Sequence, residues 1–139
     1  MFRQILVPTD FSKKHIHPLE IATNLASRYK STIHLLHVVE IIADTTFTEY
    51  EDFYNKLEKR AQKQMSNLIA MYEGKPVQII PHIAYGNRVQ EILKFSREHE
   101  IGLIIMNSHK VELKNPIQSW GTISYKVALL SDSPVMLVK

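Results

Sequence analysis

Two apolar segments that each run into polar, loop-forming residues constrain this chain more than any other feature. Residues 3–12 read Arg-Gln-Ile-Leu-Val-Pro-Thr-Asp-Phe-Ser, and residues 101–110 read Ile-Gly-Leu-Ile-Ile-Met-Asn-Ser-His-Lys. Short runs of Ile, Leu and Val without polar alternation describe strands buried on both faces, as in a parallel sheet. Such sheets place their ligands just beyond the C-terminal ends of the strands. The polar tails of the two segments therefore mark a candidate site.

Composition narrows the class. A chain of 139 residues with 45% hydrophobic and 22% charged residues reads as one globular domain over 1–139. No apolar run reaches the ~18 residues of a membrane span. Met1-Phe2-Arg3-Gln4-Ile5 lacks a signal-peptide pattern. Cysteine is absent, which excludes disulfides and thiolate metal sites and fits a cytoplasmic location. The net charge of +3 comes from scattered Lys and Arg, with no basic run or RNA-binding aromatic motif. Neither nucleic acid nor membrane is therefore expected as a partner.

Along the chain, a first strand at about Gln4–Pro8 precedes a helix over roughly 13–30. Ile16, Leu19, Ala22, Leu25, Ala26 and Tyr29 share one face of that helix, and Ser12 is its candidate N-cap. Pro18 lacks the donor that a helix interior needs, so the helix kinks there or begins later. A second strand covers about Thr32–Val39. A long helix follows over about 48–72, with capping-box spacing between Thr48 and Glu51 and a stripe of Phe47, Tyr50, Tyr54, Leu57, Ala61, Met65, Leu68 and Tyr72. Gly74 suits its end. A third strand at Val77–Ala84 leads through Tyr85-Gly86-Asn87 into a helix over about 88–99. A fourth strand, Leu103–Asn107, is followed by a loop over 108–119. The last helix, about 120–131, turns Ile123, Val127 and Leu130 inward, and a fifth strand covers Val135–Val138.

The β-α-β-α-β-α-β-α-β order implies parallel strands, right-handed crossovers and helices on both faces of the sheet, a doubly wound α/β fold. The order of its motifs resembles the universal stress protein family over essentially the whole chain. The pieces are Ile5-Leu6-Val7-Pro8-Thr9-Asp10-Phe11-Ser12, the Leu35-Leu36-His37-Val38-Val39-Glu40 strand, Tyr85-Gly86, Leu103–His109, and the closing Ser133–Lys139. The resemblance implies a five-stranded sheet of order 3-2-1-4-5. Its switch point lies between strands one and four, where residues 8–10 face residues 107–110.

Nucleotide-binding members of that family resemble the pattern Gly-x2-Gly-x9-Gly-Ser/Thr after strand four. Glycines there let backbone amides approach phosphate. This chain has Asn107 and Lys110 at the two glycine positions, and ten residues, not nine, separate Lys110 from Gly121-Thr122. Asn107 tolerates a left-handed turn, yet its side chain intrudes on the phosphate path. Lys110 is either a charge that pairs with phosphate or a surface lysine on a loop that has lost its ligand; the damaged geometry favours the second. By the resemblance, Asp10, with Pro8 and Thr9, lies near a nucleoside, and Val39 matches the adenine-edge segment. Without a ligand, Asp10 serves the strand-to-helix turn and Val39 the core.

The seven histidines are not arranged as ligand pairs in sequence. His15 and His17 diverge by about 200° on a helix, and His34 and His37 face opposite sides of a strand. His82, His99 and His109 stand alone, and only convergence in the fold makes a metal site of them. His109, beside Lys110, is the one placed to touch a crevice ligand. No nucleophile–base arrangement and no Gly-x4-Gly-Lys-Ser/Thr loop is present, so no catalytic residue is assigned.

Three readings of function follow. The first is a non-catalytic stress-response or regulatory domain, acting by association and ligand sensing, with no cofactor required. The second is an ATP- or AMP-binding protein, with Mg2+ and slow hydrolysis, using Asp10, Lys110, Gly121 and Thr122. The third is an enzyme of unassigned substrate at the same crevice. Val135, Met136, Leu137 and Val138 form an apolar edge strand in the implied order. An exposed apolar edge calls for a partner, and the resemblance adds dimers joined there, so a homodimer is expected.

Overall fold

A computed structural model describes residues 2–12, 16–41, 48–108, 114 and 122–139. Its strands are β1 (Gln4–Pro8), β2 (Thr32–Glu40), β3 (Gln78–Gly86), β4 (Leu103–Asn107) and β5 (Val135–Val138). Its helices are α1 (Ile16–Tyr29), α2 (Glu51–Ala70), α3 (Arg88–Glu98) and α4 (Ile123–Leu130). The sheet runs β3-β2-β1-β4-β5, the order that the resemblance implies, and all its strands are parallel.

Strand burial fits this order. β1 is the central strand with β4 beside it, and Ile5, Leu6, Val7, Leu103, Ile104, Ile105 and Met106 are all buried. Alternate residues serve two cores because successive side chains point to opposite faces. Ile5, Val7, Ile33, Leu35 and Ile105 pack with Leu19, Ala22, Ala26 and Met65 beneath α1 and α2. Leu6, Leu36, Val38, Ile104 and Met106 pack with Ile92, Phe95 and Val127 beneath α3 and α4. Each fully buried aliphatic side chain contributes about 1.5–3 kcal/mol. Pro81 sits in β3, an edge strand, where its missing donor is tolerated. None of the helices described is long and apolar enough to cross a membrane.

α1 begins at Ile16, the later of the two starts that Pro18 allows: the proline falls in the first turn, where backbone donors have no intrahelical partner. Other local expectations are corrected. α2 starts at Glu51 behind Tyr50, and no side chain caps it, so the Thr48–Glu51 capping box does not form. Tyr29, Tyr50 and Leu130 face solvent: Tyr29 and Leu130 are the last residues of α1 and α4, and Tyr50 stands just before α2. Ser12 donates its backbone N–H to the Asp10 carboxylate; the residues that follow it, 13–15, and Phe47 lie outside the described residues.

Candidate functional site

The segment after β1 is built by its own side chains. Thr9 donates its backbone N–H to the Leu36 carbonyl at 2.9 Å, which extends the β1–β2 pairing by one residue. Its hydroxyl oxygen accepts from Phe11 N–H at 3.0 Å, and Asp10 Oδ1 accepts from Ser12 N–H at 2.8 Å. These two short-range bonds turn the chain away from the sheet. Phe11 takes a left-handed φ of 67° at the turn. Non-glycine residues adopt that conformation at a cost, and surrounding contacts hold them there. The ring of Phe11 lies 4.5 Å from that of His37, whose Nδ1–H donates to the Thr9 carbonyl at 2.9 Å. The His37 pKa is lowered by burial, which outweighs the opposing effect of the Thr9 bond; Arg88 lowers it further and Asp10 raises it. The imidazole thus stays neutral and works as a strut.

This turn forms one wall of a crevice of about 90 Å³ at the C-terminal ends of β1 and β4. Its polar rim is Thr9, Asp10, Arg88, Asn107 and Ser124, with Pro8 beside them. Its floor is apolar: Leu36, Val38, Ile92, Met106 and Ile123. An apolar slot with a few convergent polar groups is the usual form of a small-molecule site.

The structure therefore brings together Pro8, Thr9, Asp10 and Asn107, as the switch-point argument expects. Val39 is elsewhere. It is buried within β2, and strand alternation turns it to the α1/α2 face, while Val38 lines the crevice. Asn107 is the last residue of β4 and is extended, so it does not supply a left-handed turn. Thr122 precedes α4, and its hydroxyl lies 3.4 Å from that of Ser124; Ser124, not Thr122, lines the crevice. His109, Lys110 and Gly121 lie outside the described residues. In β5, Val135 and Leu137 pack toward the α3/α4 core, Val138 is buried in the other, and Met136 is exposed.

Sequence reasoning missed Arg88. Its Nε lies 3.5 Å from Glu40 Oε1, a half-exposed pair at the rim. The signal was the helix start: Asn87 caps α3 by accepting from Gln90 N–H at 3.0 Å, so Arg88 opens a helix whose N-terminus faces the ligand end of the sheet. Gly86 ends β3 at a φ of 141°, and a Cβ there would come within 3.0 Å of the Glu91 carboxylate.

A doubly wound parallel sheet with a half-apolar crevice at its switch point defines an α/β protein of the kind that takes small ligands between strand ends. Comparison with known proteins narrows that class. The universal stress protein family model matches residues 1–139, and the chain belongs to this family. Universal stress protein YxiE of Bacillus subtilis (strain 168) is 29% identical, with all of each chain covered. Universal stress protein MJ0577 of Methanocaldococcus jannaschii is 30% identical over all of this chain and 96% of its own, and its structure superposes with a TM-score of 0.74. A universal stress protein from Archaeoglobus fulgidus, solved in complex with dAMP, shares the fold at 18% identity and a TM-score of 0.72, with both chains covered in full.

Proposed function

We propose that this chain is a non-catalytic, ligand-sensing regulatory domain that binds the nucleoside portion of an adenine nucleotide and grips its phosphates weakly. The observation that carries this reading is the crevice itself. Its floor of Leu36, Val38, Ile92, Met106 and Ile123 suits a flat heterocycle, and Thr9, Asp10 and Asn107 offer hydrogen bonds at its rim. The dAMP complex of the fold-related Archaeoglobus fulgidus protein is consistent with a ligand of this class. Weak phosphate grip follows from Asn107 and Lys110 at the positions where nucleotide-binding relatives carry glycine. Sensing is then read out through a homodimer formed on β5.

Calorimetry with adenosine, AMP and Mg-ATP tests the reading. Adenosine and ATP are expected to bind within about tenfold of one another, a difference of roughly 1.4 kcal/mol. Asp10→Ala weakens both alike, by about 1.5–3 kcal/mol for a lost hydrogen bond to a charged group. An ATP affinity about a hundredfold above that of adenosine would show that the phosphates are held. That result, or the absence of any adenosine binding, overturns the proposal.

A further inference from the structure

Toward the other end of the sheet, three histidines remote in sequence meet beneath α3. His34 lies on β2, His82 on β3, and His99 follows the last turn of α3. Their ring centroids are 5.1 Å apart for His34–His82, 5.6 Å for His34–His99 and 5.5 Å for His82–His99. Phe95 fills the centre, stacked on His99 at 3.7 Å and edge-on to His82 at 4.6 Å.

Hydrogen bonding fixes the protons. Gln4 Oε1 only accepts, so His34 Nε2–H donates to it, at 2.6 Å. A neutral His34 then accepts at Nδ1, and His82 Nε2–H donates to it at 2.9 Å. His99 Nδ1–H donates to the Phe95 carbonyl at 3.1 Å. One added proton is accommodated: His82 takes it at Nδ1 and still donates from Nε2 to the neutral His34. A second proton on the pair leaves N–H facing N–H between two cations, and the contact fails. No group of three His, Asp or Glu side chains among the described residues is arranged to hold a metal ion.

We propose that this cluster is an acid-sensitive latch: with at most one added proton on the His34–His82 pair it holds the C-terminal half of α3 and edge strand β3 against the sheet, and the second added proton releases them. The groups around the cluster come from every element packed there: Gln4 of β1, which is neutral, His34 of β2, His82 of β3, Phe95 and His99 at the end of α3, and Glu58 of α2, which lines the same surface hollow as His82. Burial, then His82 and His99, lowers the His34 pKa from 6.5 to about 4. Burial, then His99, lowers that of His82. The charges that lower the pKa values of the pair are those of the neighbouring histidines. The unfolded histidines take up protons near pH 6.5, before the folded ones do. The contribution of the cluster to stability is therefore complete above that pH and is lost between pH 6.5 and 4. His34 is 7% exposed, but His82 and His99 are only half-buried, so protons reach the cluster without global unfolding.

The latch does not depend on what occupies the crevice. Imidazole NMR titration and amide exchange on the whole chain test it. His34 is expected to titrate last, and protection in β3 and the C-terminal half of α3 to fall about tenfold or more relative to β1 and β4 before the protein unfolds. His82→Gln keeps a donor for His34 Nδ1 and removes one charge, so it moves this opening to lower pH. Opening of β3 and α3 in step with β1 and β4, independent titration of His34 and His82 near 6.5, or an unshifted midpoint in His82→Gln overturns the proposal. The titration of the unsubstituted chain decides the matter by itself should the variant fail to fold.

Discussion

Lys30 and Glu100 each end a helix in the left-handed conformation, at φ 54° and 50°, where glycine is usual. The residue after each closes the helix: Ser31 N–H donates to the Ala26 carbonyl at 3.1 Å, and Ile101 N–H to that of Ser96 at 3.0 Å. This is the six-to-one bond of a Schellman end. A side chain in that conformation costs about 1–2 kcal/mol, whereas glycine loses about 0.5–1 kcal/mol more entropy on folding. Both side chains are exposed, so little packing is at stake. Lys30→Gly and Glu100→Gly are each expected to stabilise the protein by about 0.5–1 kcal/mol. Urea unfolding should show higher midpoints at unchanged slope, and unchanged or lower midpoints refute the argument. Phe11 is left-handed too, but its contact with His37 would be lost, so no such gain is expected there.

At the scale of elements, the strands were legible because their burial on both faces forces apolar runs: β1, β4 and β5 fall on the residues that the sequence indicates. Helix ends were less legible. Thr48 and Glu51 have the spacing of a cap, yet α2 begins where packing of Tyr54, Ala61 and Met65 against the sheet begins. Half of the candidate site was also legible, because Pro8, Thr9, Asp10 and Asn107 end the two central strands. Val38 in place of Val39 is a question of strand phase, and Arg88 and the histidine cluster arise from side chains far apart in sequence that only the crossovers bring together. The segment between β4 and α4 carries its own prediction. Asn107 extended at the end of β4 leaves no backbone cradle at that position. Asn107→Gly with Lys110→Gly and deletion of one residue among 111–119 should raise ATP affinity relative to adenosine in calorimetry. Lys110→Gly alone should change little. If Lys110 instead holds phosphate, that single change weakens ATP binding, and the original binding falls with salt, because an exposed charge is screened within about 8–10 Å.

For the whole molecule, the sheet is closed unequally. β3 is an edge that carries Pro81, a residue that discourages further pairing, and one face of it is covered by α2. β5, the other edge, has no such protection among the described residues. Met136 is 38% exposed on it, and Leu129 and Leu130 of the adjoining α4 are 82% and 60% exposed. A two-fold pairing of β5 with its copy would satisfy both edges and cover these side chains with one self-complementary patch. Such a pairing would lie one strand from the crevice, because Asn107 sits in register with Val138 across β4 and β5. Light scattering at tens of micromolar is expected to give a dimer mass, since even a modest interface is populated at such concentrations. Met136→Lys with Leu129→Glu places charge on that patch and should yield a monomer with an unchanged circular dichroism spectrum. A monomer mass that does not vary with concentration in the original chain, or a dimer untouched by the two substitutions, would remove β5 as the joining edge and leave the crevice to act without a partner copy.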